Sequence, residues 1–333
     1  MSAALRVGVV GAGMIAGCHV RAYSATPGVE VVAVADPRPA KAERLARTVG
    51  AAAVADVEEV LRRDVDVVSV CTPPGTHADV AVRAIEAGRH VLCEKPLAGS
   101  LADCRRIVEA AAATEKVVMV GQVSRFEPDH RAAKELVEGG YVGEVAMMVH
   151  SITTSLPGWS EGGWLADPQQ SGGPLLDLAV HSFDYLAWVA GSEAVRVHAV
   201  AGDSPVGPST YTVATVRYAN GALGQVEASW AHPEPRGFKV GVELTGREGR
   251  ISWTGDGLIG GTMHLAGGET VWLDPLGERG FSSEIGAFVD AVRDGSPSPV
   301  PAEAGFRATR TALAAHESLR TGQPVDLRTW ETG

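Results

Sequence analysis

The first 36 residues place the strongest constraint on what this chain can fold into. An apolar, β-branched run, Leu5–Val10, enters a GxGxxA turn at residues 11–16, and the helical stretch that follows ends near residue 28. A second apolar run, Val29–Ala35, stops at Asp36, twenty residues beyond the turn. Strand, glycine turn, helix, strand and terminal acid is the order of a dinucleotide-binding βαβ unit. The pattern therefore predicts a Rossmann domain that begins at the N-terminus.

Each residue type in the turn has a physical task. Gly11 permits the tight turn, and Gly13 lets the backbone approach a pyrophosphate. Met14 and Ile15 open the helix, whose first amides are free to bind phosphate oxygens. We therefore expect these four residues to contact the cofactor.

The acid at the end of the second strand bears on which cofactor is used. Asp36 can accept hydrogen bonds from a ribose diol, and its charge would repel a 2′-phosphate. Arg38 lies two residues further on and could pair with that phosphate. The sequence favours NAD and leaves NADP open.

Apolar strands and helical stretches continue to alternate as far as residue 122. This alternation predicts a doubly wound parallel α/β sheet over residues 1–122, in which ligands lie beyond the carboxyl ends of the strands. The residues expected to face the cofactor there are Cys71, Thr72, Pro73, Pro74, His77, Glu94, Lys95 and Gln122. For His77 the alternative is a histidine in the first turn of a helix that Thr76 caps.

Residues 123–333 are predicted to form a second domain of the α+β class. Apolar runs follow one another at short spacing, and Asn220-Gly221 is typical of a hairpin between two of them. We expect a large, mostly antiparallel open sheet, with helices near residues 282–294 and 302–321. Residues 155–173 lack a clear periodicity, which makes them a candidate lid with Trp159, Trp164 and Asp167 as possible substrate contacts. The tryptophans could equally anchor that segment to its own domain.

One stretch of the second domain carries acid/base chemistry. Gly172, Gly173 and Pro174 stand where a helix can begin, and the pattern predicts a single helix from Pro174 to Ala190. Asp177 and His181 lie four residues apart, so they would stack on one face of that helix. A carboxylate beside an imidazole can orient it for acid/base catalysis, although in isolation the pair could be a surface ion pair.

The bulk composition narrows the class of partner. The net charge of −11 argues against nucleic acid or an anionic membrane as the main partner, and no apolar run is long enough to span a bilayer. Four cysteines without metal-ligand spacing indicate reduced thiols and no metal site. The apolar segment that ends at Cys18 could be mistaken for a lipoprotein leader, but its glycines and single basic residue favour the nucleotide turn. We expect a cytoplasmic protein with a small-molecule substrate.

Taken together, these motifs resemble the Gfo/Idh/MocA family of NAD(P)-dependent oxidoreductases. The resemblance rests on the GxGxxA turn with Asp36, the CTPP segment with His77, Glu94-Lys95-Pro96, and GG-x-x-x-D-x-x-x-H at residues 172–181. Two departures stand within the last motif: Pro174 takes the place of a third glycine, and Ala179 takes the place of a glycine between the aspartate and the histidine. The methyl group of Ala179 could narrow the space beside the reacting carbon.

The resemblance implies the fold, the reaction and the roles of the site residues. Lys95, Asp177 and His181 would be catalytic and would also touch the substrate. Independently of the resemblance, Arg125, Trp164 in the candidate lid and His232 at a strand end are further candidate substrate contacts. The implied activity is hydride transfer between nicotinamide and a hydroxyl or keto group of a sugar, cyclitol or related polyol. A nucleotide-linked keto-sugar, which Arg125 and Arg236 could bind, or a dihydrodiol-type substrate is the alternative within enzymes, and a non-catalytic NAD sensor is the alternative outside them. Similar proteins pair their open sheets face to face, so we expect a homo-oligomer.

Overall fold

The computed structural model describes residues 4–156, 171–204, 207–232, 238–255, 261–265, 270–273 and 280–331. Its contacts divide the chain into two units, residues 1–126 with 278–306, and residues 127–277 with 307–333. Residues 123–333 were predicted to form the second domain, whereas the contacts group residues 278–306 with the first unit. No helix among the described residues is long and apolar enough to cross a membrane.

The first unit is built on a six-stranded parallel sheet, which confirms the predicted doubly wound class. Its strands are β1 (Leu5–Val10), β2 (Val29–Ala35), β3 (Ala52–Val54), β4 (Val67–Val70), β5 (His90–Glu94) and β6 (Val118–Gly121). They lie in the order β3-β2-β1-β4-β5-β6, so the chain reverses direction of winding between β1 and β4. Most of the valines in these strands are buried, as in a sheet covered on both faces. The short β3 has too few residues to be predicted from its pattern.

The helices of this unit are α1 (Met14–Ala25), α2 (Pro39–Arg47), α3 (Val57–Leu61), α4 (His77–Glu86) and α5 (Leu101–Ala112), with α9 (Gly280–Asp294) from the returning segment. Ser100 caps α5, because its hydroxyl accepts the Asp103 amide at 3.1 Å. The predicted Thr76 cap is wrong. A 3₁₀ turn, Pro74–Thr76, precedes α4, and the Thr76 hydroxyl donates to the Pro73 carbonyl at 2.9 Å instead of accepting a helix amide.

The second unit holds a nine-stranded, mostly antiparallel sheet, as predicted. Its strands are β7 (Val145–Thr153), β8 (Ala194–Ser204), β9 (Gly207–Tyr218), β10 (Leu223–Ser229), β11 (Lys239–Gly246), β12 (Gly249–Gly255), β13 (Gly261–Leu265), β14 (Thr270–Leu273) and β15 (Val325–Asp326). Only β7 and β10 run parallel to each other among these described pairs. The Asn220-Gly221 hairpin is confirmed, with Gly221 at φ +94° in the tight turn between β9 and β10.

The described residues form four helices beside this sheet: α6 (Pro128–Glu138), α7 (Gly173–Asp177), α8 (Ala179–Ala190) and α10 (Ala302–Thr321), of which residues 302–306 belong to the first unit. The single helix predicted over residues 174–190 is wrong, because the structure breaks it at Leu178. The His181 amide donates to the Leu178 carbonyl, three residues back, at 3.1 Å. The apolar residues from Leu175 to Phe183 are buried on both sides of this break, so tertiary packing overrides local helix propensity.

A buried chain of hydrogen bonds fixes α8 against β7 and α6. The Ser182 hydroxyl lies 2.8 Å from His150 Nδ1, His150 Nε2 lies 3.1 Å from His130 Nε2, and His130 Nδ1 lies 3.2 Å from an Asp129 oxygen. A neutral imidazole has one N–H, and one assignment satisfies all the contacts. Ser182 donates to His150, His150 donates to His130, and His130 donates to Asp129. This chain holds the helix that carries His181.

His150 should make the stability of the protein depend on pH. Burial and the neighbouring His130 hold the pKa of His150 well below its ordinary value, so the ring is neutral in the folded state and protonates first in the unfolded state. The unfolded state therefore binds more protons below about pH 6.5, and stability falls there as the pH drops. We expect the melting temperature of His150→Phe to depend less steeply on pH between about 5 and 6.5 than that of the wild type.

The matched control for this change is Ser182→Ala, which removes one hydrogen bond but keeps the titrating ring. It should lower the melting temperature at every pH, by an amount equivalent to about 1–2 kcal/mol, and should keep the wild-type pH slope. Thermal unfolding followed by circular dichroism at a series of pH values measures both variants. An unchanged slope in His150→Phe would contradict the assignment of a buried neutral ring.

Candidate active site

The glycine turn between β1 and α1 leaves room for a ligand. Gly11 has φ +102°, and a Cβ there would lie 2.4 Å from the Cys71 carbonyl oxygen, so only glycine fits. A Cβ at Gly13 would meet no described protein atom within 4 Å, so the space beside this backbone is open. No side chain caps α1, and no acid stands in its first turn, where Met14 is half exposed. The amides that begin α1 therefore suit a pyrophosphate.

Asp36 is held in place at the end of β2. One carboxylate oxygen accepts the Ala12 amide at 3.1 Å, and the other accepts the Arg38 amide at 2.9 Å and the Arg38 guanidinium at 3.2 Å. The acid is buried, whereas the Arg38 side chain is 58% exposed. Carboxylate oxygens have further lone pairs, so Asp36 can still accept the hydroxyls of a ribose.

Two polar side chains near the other strand ends lack partners. The Thr72 hydroxyl and both amide atoms of Gln122 are buried without a hydrogen-bond partner among the described residues. Unsatisfied buried polar groups are costly, and a bound ligand with complementary groups removes that cost. Together with the open space at Gly13 and the carboxylate of Asp36, these groups fit NAD.

His77 links the two loops on either side of the cofactor-binding edge. Its Nε2 lies 2.7 Å from the Thr72 carbonyl and its Nδ1 lies 2.9 Å from the Pro96 carbonyl, and the ring is fully buried. Burial lowers the pKa of His77, although both carbonyls act against that shift, so the ring is neutral and donates from one nitrogen at a time. The His77 ring thus lies between the backbone carbonyls of Thr72 and Pro96 and contacts both loops. Around it Pro73 is exposed, while Cys71, Thr72 and Pro74 are half-buried.

Lys95 follows directly after β5, and its side chain is half-buried between buried neighbours. The Lys95 amide donates to a carboxylate oxygen of Glu94 at 3.0 Å, and the Lys95–Pro96 peptide bond is cis. The local backbone is therefore fixed by the side chain of the preceding residue.

In the second unit, the predicted catalytic pair is set apart from its surroundings by exposure. Between Gly173 and Leu186, Asp177 and His181 are the two residues that are not buried. Gly172 and Gly173 precede them with φ +69° and +61°, a backbone that other residues rarely adopt. His316 of α10 donates to the Gly172 carbonyl and anchors this entry into α7. Residues 173–186 are therefore mostly buried, and the polar side chains of Asp177 and His181 lie at their accessible surface.

The remaining predicted site residues have varied settings. Arg125 and His232 are both half-buried, the first in a 3₁₀ turn (Val123–Phe126) and the second just after β10, where its amide donates to Thr154 at 3.3 Å. Ala179 is fully buried in the core of the second unit, so its methyl group packs against protein atoms. Trp159, Trp164, Asp167 and Arg236 lie outside the described residues.

His19 and Gly121 both lie beside Glu94, the neighbour of Lys95, and neither was predicted from the sequence as part of the site. His19 of α1 is fully buried and its Nε2 lies 2.9 Å from Glu94, while a Cβ at Gly121 would lie 2.9 Å from the same carboxylate. The signal for His19 was present, because it interrupts the buried face that Ala16, Val20 and Tyr23 form on α1. A histidine on such a face needs polar partners.

The first unit thus has the fold and the ligand-binding groups of a nucleotide-dependent oxidoreductase. Comparison with known proteins agrees: residues 5–122 match the model of the oxidoreductase family with an NAD-binding Rossmann fold, and residues 130–252 match the Gfo/Idh/MocA C-terminal domain. The chain belongs to the Gfo/Idh/MocA family. It is an NAD-dependent oxidoreductase that acts on CH–OH groups.

Several characterised proteins are similar over nearly the whole chain. Inositol 2-dehydrogenase of Rhizobium meliloti (strain 1021) is 28% identical over 97% of this chain and 99% of its own length. D-glucoside 3-dehydrogenase of Escherichia coli (strain K12) is 30% identical over 98% of both. The structure of levoglucosan dehydrogenase in complex with NADH and levoglucosan superimposes with a TM-score of 0.86, at 25% identity over 97% of this chain and 99% of that one.

Proposed function

We propose that this protein transfers hydride between nicotinamide and a secondary hydroxyl or keto group of a sugar, a cyclitol or a related polyol. Relatives that match the chain end to end are named for inositol, glucosides and levoglucosan, which share secondary hydroxyls on a ring. The observation that carries the proposal is the partial exposure of Asp177 and His181 within an otherwise buried segment. Polar side chains placed this way have access to a small polar ligand.

His181 is the proposed acid/base. Oxidation of a secondary alcohol releases a hydride from carbon and a proton from oxygen, and bound NAD⁺ supplies the hydride acceptor. An imidazole titrates in the physiological range, so His181 can take the hydroxyl proton and return it to solvent. Asp177 would accept a hydrogen bond from the imidazole, fix its tautomer and stabilise its cation.

Lys95 is proposed to hold the reacting oxygen. Its ammonium group would donate a hydrogen bond to that oxygen and stabilise the negative charge that develops as the O–H proton leaves. Arg125 and His232 are proposed to bind the other hydroxyls of the substrate, together with Trp164. In the reverse direction the same groups would polarise a carbonyl and deliver the proton.

A substrate panel tests this proposal. Purified enzyme is incubated at alkaline pH with NAD⁺ and a series of cyclitols, aldoses and glycosides and a dihydrodiol, and NADH formation is followed by absorbance, with NADP⁺ in a parallel series. A nucleotide-linked keto-sugar is tested separately with NADH, whose consumption is followed. We expect turnover of at least one ring polyol and a preference for NAD⁺, since Asp36 would repel a 2′-phosphate. Turnover only of a nucleotide-linked keto-sugar or a dihydrodiol would contradict the substrate class, and faster turnover with NADP⁺ would contradict the role of Asp36.

We also propose that the protein is a homo-oligomer assembled through the open face of the second unit's sheet. Strand register places Met147, Val200, Tyr211 and Leu223 on one face, and they are 40–55% exposed. Large exposed apolar side chains grouped on a sheet mark an interaction surface. Sedimentation velocity at micromolar concentration should give a mass above that of a 34.6 kDa monomer. The double variant Met147→Arg/Leu223→Arg should sediment as a monomer. The control Tyr141→Arg, at an exposed tyrosine outside the sheet, should keep the wild-type mass. A monomeric wild type would contradict the proposal.

A further inference from the structure

A buried cluster of ionisable groups in the first unit includes Glu94, the residue that precedes Lys95. His19 on α1 is fully buried, and its Nδ1 lies 2.8 Å from the Ser69 hydroxyl on β4. Its Nε2 lies 2.9 Å from one oxygen of Glu94, the last residue of β5. The His19 imidazole of α1 therefore contacts side chains from two neighbouring strands, β4 and β5.

Glu94 links His19 to the backbone of Lys95. One carboxylate oxygen contacts His19, and the other accepts the Lys95 amide at 3.0 Å. A Cβ at Gly121 would come within 2.9 Å of the first oxygen, so the carboxylate fits only because residue 121 is glycine. Glu94 has little room to move, and its position sets the backbone from which the Lys95 side chain extends.

A positive charge would stabilise the carboxylates of this cluster. Glu284 of α9 is fully buried, and ligand atoms of His19, Glu94 and Glu284 all lie within 4.8 Å of one another. A buried carboxylate is costly unless a positive group pairs with it. Burial alone lowers the pKa of His19, but Cys71 and Glu94 more than offset this, and the pKa lies well above its ordinary value. A protonated His19 would supply this charge.

We propose that His19 is a positioning residue, whose hydrogen bond to Glu94 holds that carboxylate and, through it, the backbone that carries Lys95. The inference rests on the proposed role of Lys95 in catalysis. His19 takes no part in the reaction itself. It orients the Glu94 carboxylate, and the Glu94 carboxylate orients the Lys95 amide.

The test compares His19→Gln, which keeps a hydrogen-bond donor but loses the charge, with Tyr23→Phe, which removes one oxygen from a fully buried ring on the same helix. We expect His19→Gln to lower kcat by about 10- to 100-fold, because a small misplacement of a catalytic group is enough to do so. The Kd for NAD should stay within about threefold of the wild-type value. Tyr23→Phe should leave kcat within about twofold. Equal kcat in wild type and His19→Gln would overturn the proposal.

A second readout does not depend on activity. Hydrogen exchange of the Lys95 amide, measured by mass spectrometry on a peptide that spans Glu94 to Leu97, should be at least about tenfold faster in His19→Gln than in the wild type or Tyr23→Phe. Glu94→Gln should produce the same change if His19→Gln does not fold. If no polyol is turned over but the exchange changes as expected, the proposed function fails while the positioning contact stands. Unchanged exchange would overturn the contact.

Histidine-selective NMR and metal analysis complete the test. The His19 ring of the wild type should remain protonated at a pH where an ordinary imidazole, with a pKa of about 6.5, is neutral. Three ligand atoms this close could also hold a metal ion. One equivalent of a metal bound by the wild type and lost in His19→Gln would overturn the positioning role of His19, because the metal would then hold Glu94. A neutral ring at pH 7 would contradict a protonated His19.

Discussion

Replacing His181 with asparagine should lower kcat by about 10²- to 10⁴-fold, the range typical of a lost general base. Asparagine keeps the polarity and approximate size of the side chain but cannot accept a proton. The residue belongs to the second unit and NAD is bound by the first, so the Kd for NAD should stay within about threefold of the wild-type value. Steady-state kinetics with a polyol from the panel and fluorescence titration with NADH measure these two quantities.

The neighbouring residue provides the control for this change. Ser182→Ala alters the buried side chain next in α8 and should keep kcat within about threefold, even though it lowers the melting temperature. Asp177→Asn should give a smaller loss than His181→Asn, since it removes an orienting group and leaves the base in place. A His181→Asn enzyme with more than half the wild-type kcat would show that His181 does not move the proton.

Replacing Lys95 with methionine should lower kcat by about 10²- to 10³-fold. Methionine has a similar length but offers no charge and no donor to the reacting oxygen, and loss of one such donor costs about 3–4 kcal/mol in the transition state. The control is Lys116→Met, because Lys116 is an exposed lysine of the same unit. It should behave as the wild type.

The double variant gives the sharper outcome. If Lys95 and His181 act on the same oxygen in one transition state, Lys95→Met/His181→Asn should lose much less than the product of the two single losses. Fully multiplicative losses would mean that the two residues act independently. A Lys95→Met enzyme as active as Lys116→Met would contradict the role of the lysine altogether.

Local sequence patterns were sufficient for most of the first unit. The order of β1, α1, β2 and Asp36 follows from alternating apolar runs and from a glycine turn in which Gly11 tolerates no side chain, and both are properties of short segments. The Asn220-Gly221 hairpin was predictable for the same reason. Motif resemblance then supplied Lys95, Asp177 and His181 as candidates, although no local pattern tells which of these side chains remain accessible.

Features that depend on distant contacts could not be predicted. The break at Leu178 depends on the tertiary packing of the apolar residues before and after it, which the helical period of residues 174–190 does not show. His77 contacts carbonyls at residues 72 and 96, and only the fold shows that both of its nitrogens bind backbone. The link from His19 to Glu94 spans 75 residues. The placement of residues 278–306 in the first unit likewise depends on tertiary contacts.

The most direct test of the central claim is to follow deuterium from the substrate to the cofactor. A polyol that the panel identifies is deuterated at its ring carbons, oxidised by the enzyme with NAD⁺, and the NADH is analysed by mass spectrometry. If hydride passes from a secondary carbinol carbon to nicotinamide, the NADH formed carries one deuterium for each keto group produced, and Lys95→Met and His181→Asn slow its formation. Formation of the keto product with unlabelled NADH would contradict the account.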